Sequence, residues 1–190
     1  MIGKRATANA AWVLLLASTA ASTLTAQRSV RAVYYSVPSW SPDGKAIAFE
    51  SNRDGEAAVY TIRPDGTGLT RLTPTGTGGE QPNWAANGRH LVYTSNRGGV
   101  RELHLMTAGG GGDVALPGTT NGFLAAFSPD GRWLLFAAQD RRPSTHYRVL
   151  VMAPDGTNRR SLGDSTKSNE DPRWTIDGTR IVFTEVPLLE

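Results

Sequence analysis

The sequence predicts an all-β protein built from β-propeller-type repeats, about three and a half to four antiparallel four-stranded blades. Three observations carry that prediction. A turn signature recurs as Trp40-Ser41-Pro42-Asp43-Gly44, Trp84-Ala85-Ala86-Asn87-Gly88, Phe127-Ser128-Pro129-Asp130-Gly131 and Trp174-Thr175-Ile176-Asp177-Gly178. Its glycines fall at 44, 88, 131 and 178, a period in the forties that marks an array of small structural units. Short apolar strands separate the turns, and no useful length of the chain past the leader shows helical periodicity.

In chain order, Val30 to Val37 is β-branched and aromatic and reads as a strand of its own. Pro38-Ser39-Trp40 is a short strand, and Ser41-Pro42-Asp43-Gly44 a turn in which Pro pre-sets φ, Asp bonds nearby backbone and Gly takes positive φ. Lys45 to Ser51, Ala57 to Arg63 and Gly68 to Thr73 follow as strands, separated by turns at Asn52-Arg53-Asp54-Gly55 and Pro64-Asp65-Gly66. The later repeats align strand by strand. Ile47-Ala48-Phe49 matches Leu91-Val92-Tyr93, Leu134-Leu135-Phe136 and Ile181-Val182-Phe183. Such continuous apolar runs predict strands buried on both faces, as between neighbouring blades, with the Trp or Phe before each turn packed between blades. In the second copy the third turn is Gly109-Gly110-Gly111-Gly112. It lacks a Lys-Ser/Thr ending and a following helix, so it reads as a turn and not as a phosphate cradle.

Met1 to Ala26 reads as a signal peptide, with Lys4 and Arg5 ahead of an apolar Ala10–Ala17 stretch and cleavage near Ala20 or Ala26; an uncleaved N-terminal anchor is the alternative. That leaves residues 27–190 as the repeat domain and a periplasmic or secreted location, with membrane contact only through an uncleaved export signal. The chain has no cysteine, which excludes disulfides, thiolate metal sites and a lipoprotein anchor. Removing residues 1–26 leaves 18 basic against 17 acidic residues, and no basic run or aromatic-interleaved stripe points to nucleic acid.

Together these residues resemble the TolB-type, WD-like β-propeller repeat family. The first copy matches nearly throughout: Pro38-Ser39-Trp40-Ser41-Pro42-Asp43-Gly44, Phe49, Ser51-Asn52-Arg53-Asp54-Gly55, Val59-Tyr60, Asp65-Gly66 and Leu72-Thr73. The second keeps Glu80, Pro82, Trp84 and Ser95-Asn96-Arg97-Gly98-Gly99, and the fourth keeps Glu170, Asp171-Pro172, Trp174 and Asp177-Gly178. The resemblance implies a six-bladed or larger propeller, whereas the chain supplies three complete repeats and half of a fourth. Either the array is a partial, open propeller, whose bare end faces invite self-association, or Val30–Val37 pairs with the Trp174 and Phe183 strands to close a four-bladed ring. TolB carries an α/β domain ahead of its propeller, through which it meets other Tol proteins. The stretch from Gln27 to Val37 is too short to hold one, so a direct Tol–Pal role is not expected.

No catalytic constellation can be assembled. His90, His104 and His146 occupy different structural slots without metal-ligand spacing, and no Gly-x-Ser-x-Gly elbow occurs. The turn aspartates have a structural reason to recur. Arg53, Asp54, Arg97, Arg141 and Arg142 fall in the loops between second and third strands, and Glu80, Glu170 and Asp171 precede the innermost strands. Propeller geometry puts both sets on one face, the candidate binding face. The expectation is a non-enzymatic, cofactor-free exported module that binds a protein or cell-envelope component. The alternative is the propeller of a serine peptidase or carbohydrate-active lyase whose catalytic part lies elsewhere.

Overall fold

The computed structural model describes residues 32–139 and 146–187. The predicted signal peptide, most of the Gln139–His146 loop and the last residues lie outside them. Fourteen strands form three four-stranded antiparallel sheets and one two-stranded sheet among the described residues. The first blade is β1 (Tyr35–Trp40), β2 (Ile47–Ser51), β3 (Ala58–Ile62) and β4 (Thr70–Arg71). The second is β5 (Glu80–Trp84), β6 (His90–Ser95), β7 (Glu102–Thr107) and β8 (Val114–Ala115). The third is β9 (Gly122–Phe127), β10 (Leu134–Gln139), β11 (Tyr147–Met152) and β12 (Arg160–Leu162), and the fourth has β13 (Lys167–Trp174) and β14 (Ile181–Pro187). Each blade runs in sequence order from its first strand outward. The first strands β1, β5, β9 and β13 lie next to one another in series, which makes them the inner strands.

The core consists of the faces between blades. Ala48, Val59 and Leu72 of the first blade pack on Leu91, Tyr93 and Met106 of the second, with Trp84 against them. Val92, Leu103 and Leu116 of the second pack on Leu134, Phe136, Leu150 and Met152 of the third, with Phe127 against them. Successive residues in Leu91–Tyr93 of β6 and Leu134–Phe136 of β10 therefore point to opposite interfaces and are all buried, which is why those runs are apolar without alternation. At about 25 cal/mol per Å² of apolar surface removed from water, this burial is the main force joining the blades.

The inner strands share a bulge. Val37, Gln81, Leu124 and Asp171 occupy the same position in the four copies and have φ of 48°, 54°, 52° and 50°, and the pairing register shifts there in every blade. None is glycine, so each carries backbone strain that the surrounding contacts hold in place. Side chains at the bulges tie one inner strand to the next. Ser39 Oγ accepts from Trp84 N at 3.2 Å, Gln81 Oε1 from Leu124 N at 3.0 Å, and Asn83 Oδ1 from Phe127 N at 3.3 Å.

Three sequence expectations change. Val30–Val37 and Pro38–Trp40 are not two strands: within the described residues β1 runs through Pro38 and pairs with β2. Tyr34 extends that pairing, with its N–H on Asn52 Oδ1 and its carbonyl accepting from Ser51 Oγ. These bonds commit the segment to the first blade, so it does not close a ring through β13 and β14, which pair only with each other. The described array is a partial propeller. Third, the aromatic before each turn packs between blades only where a blade precedes it. Trp84, Phe127 and Trp174 do so, but Trp40 is 58% exposed because no described residue covers that side of the first blade.

Candidate functional site

The two ends of the blades differ in chemistry. At one end lie the signature turns, whose repeated residues are consumed by turn geometry. Asp43 Oδ1 accepts from Ser41 Oγ and Lys45 N, and Ser41 Oγ accepts from Ala46 N. Asp130 and Asp177 repeat the arrangement with Ser128 and Thr175. Hydrogen bonds from these hydroxyls hold all three carboxyls below the usual carboxylate range. The glycine that ends the second, third and fourth signatures abuts the turn of the preceding blade: a Cβ on Gly178 would lie 3.2 Å from Pro129 Cδ, and one on Gly88 3.8 Å from Pro42 Cδ.

Antiparallel topology sends the loops between second and third strands to the other end, together with the connections between blades. Contacts join the two sets: Ser95 Oγ donates to Thr77 O, and Gly76 N donates to Glu56. Arg53, Asp54, Glu80, Arg97, Glu170 and Asp171 sit on these loops or at the starts of inner strands. Arg141 and Arg142 lie outside the described residues.

The loop residues are engaged within their own blades. The Arg53 guanidinium lies 5.9 Å from the centre of the Tyr60 ring. Asp54 accepts from Tyr60 OH at 2.8 Å and faces Arg71 at 3.7 Å. Arg97 pairs with Asp113 at 2.8 Å, and the same carboxylate accepts from Tyr93 OH at 2.8 Å and meets His104 Nδ1 at 2.9 Å. A carboxylate only accepts, so His104 carries its proton on Nδ1. Burial pushes the Asp113 carboxyl up, but hydrogen bonds from Tyr93, His104 and Arg97 outweigh it and hold the net value low. His104 is thus a structural residue, and Arg97 is largely spent on the same network.

The inner-strand starts are different. Glu80 is half-buried, and its nearest cation is Arg101 at 3.5 Å. Burial pushes its carboxyl up, Arg101 opposes that and the Glu50 charge adds to it. Glu50, buried in β2, accepts from Tyr34 OH at 2.7 Å and from Gln81 N at 3.2 Å. Arg101 also stacks over Phe123, with its guanidinium 5.9 Å from the ring centre, and Phe123 meets Tyr147 edge-on. In the fourth blade Glu170 accepts from Ser168 Oγ at 3.0 Å, and Asp171 occupies the bulge position. The structure thus groups Glu50 and Glu80 with Tyr34, Arg101 and Phe123, and it leaves Arg53 and Arg97 in separate blades with separate partners. Sequence reasoning missed Glu50, Arg101 and Tyr34. The one signal was that Glu50 breaks an apolar strand at a position filled by Thr94 and Ala137 in other copies.

Among the described residues no cluster of His, Asp and Glu is placed to hold a metal ion, and no helix is long and apolar enough to cross a membrane.

Comparison with known proteins gives the same architecture. A TolB-type protein of Agrobacterium tumefaciens superimposes with a TM-score of 0.68 and 25% identity, over 83% of this chain and 60% of that one. TolB of Acinetobacter baumannii gives 0.63 and 23% identity, over 76% of this chain and 36% of that one. The Tol-Pal system protein TolB of Syntrophus aciditrophicus is 46% identical over 35 residues, which is 18% of this chain and 8% of the relative. The chain therefore spans less than two thirds of the length of each of these proteins. A gluconolactonase of Xanthomonas campestris and an acylaminoacyl peptidase share the fold at 18% and 16% identity, which extends to architecture alone. A family model described as the TolB beta propeller domain matches residues 4–144. With that match over most of its length, and with the blades, signature turns and inner-strand bulges described above, the chain belongs to the TolB beta propeller domain family.

Proposed function

We propose that the chain is a non-enzymatic periplasmic binding module that recognises a protein of the cell envelope through the end of the propeller bearing the inner-strand starts. The observation that carries this reading is the acidic group at that end. Glu50 and Glu80 share a half-buried site with Arg101 as the near cation, and Glu170 and Asp171 add carboxylates at the equivalent place in the fourth blade. Holding two carboxylates close together in a partly dry setting costs stability, and such costs concentrate where a ligand relieves them. The partner chemistry that fits is a basic one, a lysine- or arginine-bearing segment or an amino terminus, flanked by an apolar group for the Phe123 and Tyr147 rings. Relatedness to TolB supports a partner in the cell envelope.

The test is capture from an envelope extract by the immobilised chain, against a double variant carrying Glu80→Gln and Glu170→Lys. A partner retained stoichiometrically by the parent chain and at least about tenfold less by the variant supports the reading. Identical capture by both overturns it.

A further inference from the structure

The inner strands wall a cavity of about 210 Å³, and β1, β5, β9 and β13 all contribute to it. Ser39, Asn83 and Arg173 stand at one level of that wall. They hold the same register position in their blades, opposite Ala48, Val92 and Val182. Gln81 reaches the same cavity from the bulge of β5. The rest of the lining is apolar, with Val37 40% exposed and Leu124 half-buried, and no Asp or Glu belongs to it.

The fold uses one end of each polar side chain here and leaves the other free. Gln81 Oε1 accepts from Leu124 N and Thr94 Oγ1, Asn83 Oδ1 from Phe127 N, and Ser39 Oγ from Trp84 N. A backbone N–H only donates, so these bonds fix which end of each amide is oxygen and which is the NH2 group. Neither amide nitrogen has a hydrogen-bond partner among the described residues, and neither is buried away from solvent. The Ser39 hydroxyl has no acceptor among the described residues either. Arg173 donates through one nitrogen to the Pro172 carbonyl at 2.9 Å, and among the described residues no carboxylate lies within ion-pair distance of it. The junctions do not require these spare donors. Ser39 ties β1 to β5 with a hydroxyl alone, so the NH2 group of Asn83 exceeds what the matching bond from β5 to β9 needs.

One unpaired guanidinium beside two NH2 groups and a hydroxyl makes a site for a monoanion with several lone pairs. A carboxylate meets that description, since it takes two parallel bonds from a guanidinium and keeps lone pairs for the amides. A phosphate dianion would bring a second charge that no cation of the lining meets. The cavity is smaller than the about 300–1,000 Å³ of drug-sized sites, and its apolar wall suits a short hydrocarbon body. We infer that the inner-strand cavity binds a small aliphatic monocarboxylate, its oxygens held by Arg173, Asn83 and Gln81 and its hydrocarbon part resting on Val37 and Leu124. Such a group arrives as a free short-chain acid or as the C-terminus of a peptide ending in an aliphatic residue. The inference is independent of the binding reading above, which rests on carboxylates and takes a cation.

Heteronuclear NMR titration of the full chain tests it, with the side-chain amide resonances of Gln81 and Asn83 as the readout. The probes are isovalerate, its neutral amide isovaleramide, and a short peptide ending in leucine with a free carboxylate. A carboxylate probe is expected to move both amide resonances saturably, and isovaleramide to leave them in place. Arg173 is exposed, so Arg173→Gln keeps the fold, and it is expected to weaken binding at least about tenfold. Asn83→Ser retains an acceptor for Phe127 N, as Ser39 does for Trp84 N, and is expected to weaken binding about three- to tenfold with the backbone spectrum preserved. Tighter binding of isovalerate supports the inference with a free acid as the source, and tighter binding of the peptide supports it with a C-terminus. Amide resonances unmoved by either carboxylate at about 20 mM overturn it. Equal affinity for isovalerate and isovaleramide overturns it too, as does binding indifferent to Arg173→Gln.

Discussion

Gln81 Oε1 lies 3.0 Å from the backbone nitrogen of Leu124 and 3.1 Å from Thr94 Oγ1. A single side-chain oxygen thus joins two inner strands and the second strand of its own blade. Gln81 holds positive φ to do so, which turns its side chain from its own ladder toward the neighbour. Replacing Gln81 with Leu leaves a backbone N–H and a hydroxyl without an acceptor. The expected loss is about 1–3 kcal/mol, read as a lower urea midpoint at unchanged slope. Gln81→Glu retains an acceptor oxygen and is expected to lose less.

Asp113 gives the fold an acid limb. Its carboxyl is held below the ordinary value in the folded chain, so its contribution is complete above the unfolded carboxylate pKa of about 3.9 and is lost as pH falls through the folded value. Thermal midpoints of the parent chain are expected to drop below about pH 4. Asp113→Asn, destabilised at neutral pH because Tyr93, His104 and Arg97 lose their shared anion, is expected to show a shallower decline. The cost at pH 7 is about 2–4 kcal/mol, since two of the three partners are buried side chains. Parallel acid limbs for the two proteins would contradict this role.

The four-glycine run divides into required and dispensable residues. Gly110 has φ +84°, and a Cβ on it would stand 2.8 Å from Leu72 O of the preceding blade. Gly109 has ordinary φ, with nothing within 4 Å of its Cβ position. Gly110→Ala is expected to cost about 1–3 kcal/mol, whereas Gly109→Ala is expected to be neutral or to stabilise by up to about 1 kcal/mol. Equal midpoints for the two variants in chemical unfolding would refute the distinction.

The blade count, the four-strand unit and the turn chemistry were legible in the sequence because each rests on local patterns that recur at a fixed spacing. Asp43, Asp130 and Asp177 do in three copies what their shared neighbours predict. Other features depend on what lies across an interface, which no local pattern records. Trp40 has the same signature as Trp84 and differs only in having no described blade in front of it. Val37, Gln81, Leu124 and Asp171 share a positive φ without sharing a residue type. The candidate binding residues were placed on a common end by topology, but Arg97 was already committed to Asp113, a residue well beyond it in the chain that also holds Tyr93. Arg101, the cation nearest Glu80, carried no repeat signal to mark it.

The nesting of the second, third and fourth signature glycines against the turn before them, as Gly178 sits on Pro129, Gly131 on Ala86 and Gly88 on Pro42, makes the contact between blades a property of the repeat and not of its place in the series. A duplicated or deleted unit therefore finds a matching seat on either side, and the length of the array can drift by whole blades over evolutionary time without any interface being redesigned.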